Sequence, residues 1–249
     1  QPLTPIYTYA DTRSRDYVND LQESLDAQSV YQRTGCPQHT AYLPSRIRWL
    51  QNTCPEIVKL VYRWLDVSTF LYWRWFEKKD IPTSYSTASW TGLLNRHRMC
   101  WDEELLHYLS ISADRLSPLA EYSHFQMGLA EPFATRWPAL SRTPFTLGVG
   151  DGVASNVGSG CVAPNRVALS VGTTGAIRVL LPHEVENIAE EYQNNFDDFM
   201  ENQLEDGVLY INYRGYLGVS GFDNNDINSA NNGFMTPFST ILTCGTGSF

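Results

Sequence analysis

Residues 144–160 read PFTLGVGDGVASNVGSG and set one acid, Asp151, among glycines at 148, 150, 152, 158 and 160. Glycine at these positions lets backbone approach backbone or ligand closely. The apolar run before the acid predicts a short strand. The small residues after it predict a short, closely packed helix capped by Asp151. Downstream, RVALSVGTTGAIRVLL (166–181) reads as two apolar strands joined by a Gly-flanked Thr-Thr turn, a hairpin signal. A strand, a helix and a hairpin in so short a span point to an α/β domain.

The remaining segments fit around that unit. DTRSRDYVNDLQESLD repeats Tyr17, Val18, Leu21 and Leu25 at helical spacing, which predicts a helix over 14–28. TGCPQHTAYLPSR is punctuated as a loop by Gly35, Pro37 and Pro44. PEIVKLVYRWLDVSTFLYWRWFEKK predicts one or two aromatic-rich helices from Pro55. SYSTASWTGLLN reads as a loop or short strand, and WDEELLHYLSIS as a helix capped by Asp102. Beyond Pro182 the texture changes. Residues 183–249 hold ten of the chain's fifteen asparagines, which predicts a weak helix over 183–204, a strand within GVLYINYRGYLGV and otherwise poor order.

Composition narrows the partners. The 249 residues are 43% hydrophobic and 18% charged, ordinary for a globular protein. A net charge of −9 without basic runs argues against nucleic acid. The most apolar stretch carries Lys59, Arg63, Asp66 and Arg74, which argues against a membrane span. Five scattered cysteines without a CxxC pair argue against a disulfide framework or zinc and favour a reducing cytoplasm. No metal-ligating residues stand out.

An acid at a helix start accepts backbone N–H groups and feels the positive dipole end, so it stays ionised and can take a proton from a hydroxyl. The same residue also reads as a plain helix cap. The turn at Gly172, Thr173, Thr174 and Gly175 presents amides and hydroxyls that can cradle phosphate oxygens, and it also reads as an ordinary hairpin turn. Taken alone, Asp11 and Arg13 read as a capping pair for the 14–28 helix and His39 as a surface loop residue. Trp64, Trp73 and Trp75 read as core packing, and Cys36 as an inert thiol.

Together, GVGDGVASNVGSG and PNRVALSVGTTGAIRVLLP resemble the core signature of the FGGY carbohydrate kinases. YADTRSRD, TGCPQHTAYLPSRIRWL, TSYSTASWTGLLN and WDEELLHYLSIS are similar to further segments of that family, in the same order, over residues 7–182. GCPQHTAY is closest to the gluconokinase-like branch. The resemblance implies a ribonuclease-H-like (actin-like ATPase) α/β fold, mostly its first domain plus the start of a second. It implies transfer of the ATP γ-phosphate, with Mg²⁺, to a terminal hydroxyl of a sugar or sugar acid. Gluconate is the expected acceptor, with xylulose or ribulose as alternatives. Asp151 would be the catalytic base, Gly172, Thr173, Thr174 and Gly175 the nucleotide contacts, and Asp11, Arg13, His39 and Tyr42 the sugar contacts. A homo-oligomer is compatible with it.

The expected domains are 1–161, partial kinase N-terminal; 162–182, the start of a second domain with the phosphate turn; and 183–249, an atypical Asn-rich segment. The family's Asp-x-Gly-Thr strand turn does not precede YADTR, and the tail resembles nothing in the family's second domain. The expectation is therefore a fragment, inactive alone, with a non-catalytic sugar-binding remnant or subunit as the alternative. Ser84 stands where relatives often carry Asp, a change expected to loosen a structural hydrogen bond.

Overall fold

The computed structural model describes residues 1–8, 11–171, 175–180, 210–214 and 238–242. The expected helix at 183–204, the turn residues Gly172, Thr173 and Thr174, and most of the Asn-rich segment lie outside the described residues. The chain divides into two compact units, Gln1–Gly150 and Asp151–Phe249.

In the first unit the helix expected over 14–28 is two helices, α1 (Arg15–Ser24) and α2 (Ala27–Thr34). Leu25 turns extended, and the Asp26 carboxylate takes the Ser29 amide to start a new helix. Gly35 ends α2 at φ 70°, a left-handed position that glycine fills without strain. α3 (Leu43–Thr53) carries Pro44 in its first turn, and α4 (Pro55–Leu60) starts on Pro55. α5 (Val67–Phe76) is capped by Asp66, which accepts the Thr69 amide at 2.9 Å.

Strands of this unit are short. β1 (Thr83–Ser84) pairs in parallel with β4 (Leu119–Ala120), and β2 (Leu94–Asn95) pairs antiparallel with β3 (Cys100–Trp101). β5 (Phe125–Gln126) pairs antiparallel with β6 (Phe145–Thr146), so the strand expected in PFTLGVG is only two residues long. SYSTASWTGLLN, expected as loop or short strand, ends in the short strand β2 as expected, but its first part forms the helix α6 (Tyr85–Ser89) because Ser84 Oγ takes the Thr87 amide at 3.0 Å. α7 (Glu103–Tyr108) starts at Asp102 as expected, and α8 (Phe133–Arg136) precedes β6.

Two apolar cores hold these elements. One gathers Leu21, Ile47, Leu93, Leu105 and Leu109, with Trp64 against it. The other gathers Phe76, Ile81, Leu129 and Leu147, with Trp73 and Trp75 against it. The three tryptophans are core packing, as expected, but Trp64 sits outside a helix, bridged to Leu116.

The second unit starts with α9 (Asp151–Gly158). β7 (Arg166–Val171) and β8 (Gly175–Val179) form the expected antiparallel hairpin, in register Val171↔Gly175. β9 (Tyr210–Arg214) falls where a strand was expected and runs parallel to β7, with β10 (Phe238–Leu242) parallel beyond it. The sheet order is β10-β9-β7-β8. Buried Asn156 ties α9 to the hairpin by donating toward the carbonyls of Cys161 and Arg178, at 3.5 and 3.4 Å.

A buried polar tie of the first unit is Asp102, which is 2% exposed. It accepts Arg33 Nε at 2.9 Å, Asn95 Nδ2 at 3.1 Å and the Leu105 amide at 3.1 Å. Burial pushes this carboxyl up, but Arg33, the Leu105 amide and Asn95 outweigh it and hold it below the usual carboxylate range. Asp102→Ala removes the α7 cap and leaves the Asn95 amide without its buried acceptor, while Arg33 keeps Glu104 and Ser29, so it is expected to cost about 1–3 kcal/mol by urea unfolding at neutral pH. A lowered folded pKa means this stabilisation is complete above about pH 4 and fades as pH falls through the folded value. The Asp102→Asn variant is therefore expected to lose less stability than the wild type between neutral pH and pH ~3.

Candidate active site

The segment leading to Asp151 is clamped by hydroxyls. The Gly148 carbonyl accepts Ser84 Oγ at 2.5 Å and Thr87 Oγ1 at 3.0 Å. Two residues on, the Gly150 amide donates to Ser86 Oγ at 3.0 Å. Ser84, Ser86 and Thr87 all belong to the first turn of α6 or its cap. Space explains the glycines. A Cβ at Gly148 would fall 2.6 Å from Ser68 Oγ, and one at Gly150 would fall 2.5 Å from Trp90 Nε1. Ser84 thus both caps α6 and bonds Gly148, so the expected loosening at this position is absent. An aspartate there could accept the Thr87 amide but could not donate to a carbonyl.

Asp151 occupies the first turn of α9 and is exposed. The chain places it directly after the clamped Gly150, at the positive end of a helix. Of the expected nucleotide contacts, Gly175 opens β8, and Gly172, Thr173 and Thr174 lie outside the described residues.

The first-unit candidates cluster around α3. Asp11 and Arg13 form a bidentate pair. Arg13 Nε donates to Oδ1 at 3.0 Å and Nη2 to Oδ2 at 2.6 Å, and the Arg13 amide also donates to Oδ1. The pair caps no helix, since Ser14 holds the N-cap position of α1. Hydrogen bonding from Arg13 draws the Asp11 carboxyl down to about 2. The guanidinium lies over Trp49, 4.6 Å from its ring centre, and over Tyr7 at 5.2 Å. Asp11 thus occupies the edge of the guanidinium fork formed by Nε and Nη2.

His39 and Tyr42 lie on the loop before α3. His39 Nδ1 accepts the Ala41 amide at 3.1 Å, which puts the proton on Nε2 as a donor. Burial, then neighbouring Cys36, pushes the Tyr42 hydroxyl up to about 12, so it stays protonated. Burial likewise pushes the Cys36 thiol up to about 11, in keeping with an inert thiol. A cavity of about 10 Å³ lies under this loop, lined by Cys36, Gln38, His39 and Tyr42 among others. That is room for roughly one water and too little for a sugar.

Two residues escaped the sequence reading. Arg46 is 8% exposed and donates to the carbonyls of Thr40, Tyr7 and Thr8, fixing the Asp11 segment against the His39 loop. Its signal was a basic residue on the buried face of α3, beside Ser45 and Ile47. Gln38 has both amide atoms buried with no hydrogen-bond partner among the described residues. Its signal was a long polar residue between Pro37 and His39.

This arrangement belongs to a mixed α/β sugar-kinase scaffold, and comparison with known proteins agrees. The model of the FGGY family of carbohydrate kinases, N-terminal domain, matches residues 1–158, and the chain belongs to that family. Gluconokinase of Bacillus subtilis (strain 168) is 34% identical over 181 residues, 73% of this chain and 35% of that protein. Glycerol kinase of Trichormus variabilis is 30% identical over 222 residues, 88% of this chain and 41% of that protein. A ligand-bound xylulose kinase from Lactobacillus acidophilus superposes with TM-score 0.69 at 29% identity, over 74% of this chain and 37% of that one. Gluconate kinase from the same organism gives TM-score 0.67 at 30% identity, over 72% and 36%. The chain thus spans 35% to 41% of the length of these curated relatives. A second model, Peptidase family C25, matches residues 173–249, less than half of the chain, and takes in Thr173, Thr174 and Gly175.

The clamp yields a stability test. Ser84→Ala removes the cap and one of the Gly148 bonds and is expected to cost about 1–2 kcal/mol. Gly148→Ala drives a methyl into Ser68 and is expected to cost about 1–3 kcal/mol. Urea unfolding reads both as a lower midpoint at unchanged slope.

Proposed function

We propose that the chain carries the sugar-binding and base-bearing part of an ATP-dependent carbohydrate kinase of the gluconokinase-like branch. The reaction is transfer of the ATP γ-phosphoryl group to a terminal hydroxyl, with gluconate as the favoured acceptor and xylulose or ribulose as alternatives. The observation that carries this is the hydroxyl clamp on Gly148 and Gly150, which fixes the backbone immediately before Asp151. Asp151 orients the hydroxyl and takes its proton as the O–P bond forms. Asp11 holds Arg13, whose guanidinium suits a sugar-acid carboxylate, and His39 Nε2 and Tyr42 Oη donate to hydroxyls. Mg²⁺ accompanies ATP as part of the substrate and offsets phosphate charge when bound. The turn 172–175 would contact phosphates.

The order β8-β7-β9-β10, an antiparallel pair flanked by parallel strands, supports reading the second unit as the start of a ribonuclease-H-like domain. Four free thiols among the described residues suit a reducing cytoplasm. Among the described residues no helix is long and apolar enough to cross a membrane.

A second reading, a sugar-binding unit without phosphoryl transfer, is favoured by one observation. The turn residues 173–175, though spanned by the glycerol kinase alignment, fall in the segment that matches a peptidase family model. We therefore expect this chain to bind sugar and turn over too slowly to measure.

Thermal shift with gluconate, xylulose, ribulose and glycerol tests the acceptor, and gluconate is expected to stabilise most. A ketopentose or glycerol shift with gluconate silent overturns that choice. A coupled ADP-release assay with Mg-ATP tests transfer. Sugar-dependent release that drops about 10²–10⁴-fold in Asp151→Asn makes the chain a complete kinase and Asp151 its base. A sugar shift with no Mg-ATP shift and no release supports the second reading.

A further inference from the structure

Trp90 follows α6 and is 48% exposed, and it belongs to neither core cluster described above. An exposed indole at such a place needs a reason, because a structural tryptophan gains most by burial. Its neighbours supply one. On one side its Nε1 lies so close over the Gly150 α-carbon that a methyl there would fall 2.5 Å away. Gly150 is covalently joined to Asp151. On the other side the next two residues seat the His39–Tyr42 loop. The Thr91 carbonyl accepts the Leu43 amide at 2.9 Å, and Gly92, at φ 74°, lies against Tyr42, where a methyl would fall 2.9 Å from its Cβ.

Three consecutive residues therefore run from the backbone that carries the acid to the loop that carries the sugar donors. Trp90 is the only aromatic ring in that run and keeps an open surface. No hydrogen bond to its indole N–H is made among the described residues. A polyol or sugar offers C–H groups on one side and hydroxyls on its rim. An exposed indole matches both, with its π face for the C–H groups and its N–H for a hydroxyl.

We propose that Trp90 is a carbohydrate-recognition residue, stacking on the carbon chain of the acceptor and donating its indole N–H to a hydroxyl. This rests on the sugar-binding reading above and adds a contact that none of the signature residues provides. Its ligand class is a polyhydroxylated carbon chain, and the carboxylate end is left to Arg13.

The experiment compares the whole chain with Trp90→Ala and Trp90→Phe, using gluconate and xylulose as probes. Calorimetric titration gives affinity, tryptophan emission reports the ring's surroundings, and urea unfolding reports folding. Trp90→Ala is expected to weaken sugar binding about tenfold at an unchanged unfolding midpoint. Trp90→Phe is expected to keep part of the affinity through its ring and to show a smaller sugar-induced emission change, the remainder coming from Trp49 beneath Arg13. Wild-type affinity in a folded Trp90→Ala overturns the proposal and leaves the sugar-binding reading standing. A sugar-induced emission change of wild-type size in Trp90→Phe also overturns it. If Trp90→Ala fails to fold, the emission change and affinity of Trp90→Phe decide. Absence of sugar binding in the wild type overturns both readings together.

Discussion

Three hydroxyls on one helical turn hold the backbone that leads into Asp151. Ser84 and Thr87 converge on a single carbonyl at Gly148, and Ser86 takes the amide of Gly150. A turn this glycine-rich has little side-chain packing of its own to fix it. The hydroxyls replace that packing with directed bonds, and the glycines are small because Ser68 and Trp90 already occupy the space above them. α6 is too short to be stable alone. It exists because its cap and its carbonyl partners are satisfied together, so the helix and the acid-bearing segment stabilise each other.

The sequence made the caps legible and hid the short elements. Asp102 before an acidic first turn is a local signal, and the structure bears it out. The α6 segment misled because Ser and Thr compete for backbone bonds in loops as readily as at helix starts. Only the carbonyl of Gly148, 64 residues away, decides between the two. The break between α1 and α2 was hidden in the same way, since Asp26 reads equally as a surface acid of a continuous helix. The hairpin at 166–179 was readable because apolar runs around a Gly-flanked turn have few alternatives.

The candidate site was legible as far as it rests on motifs. Family membership followed from several short segments in the right order, each weak alone. The pairing of Asp11 with Arg13 instead of with a helix end was not readable, because both roles use the same residues at the same spacing. The role of Arg46 was hidden for a deeper reason. Among the described residues its hydrogen bonds go to main-chain carbonyls, and carbonyls carry no sequence signature.

That last property has a corollary. Arg46 holds the backbone at positions 7, 8 and 40 without regard to which side chains stand there. Lysine could not replace it, because a point charge cannot hold three carbonyls spread around a planar fork. One residue thus fixes the frame without depending on its neighbours' side chains. The side chains along this rim can be exchanged while the main-chain frame that presents them stays the same.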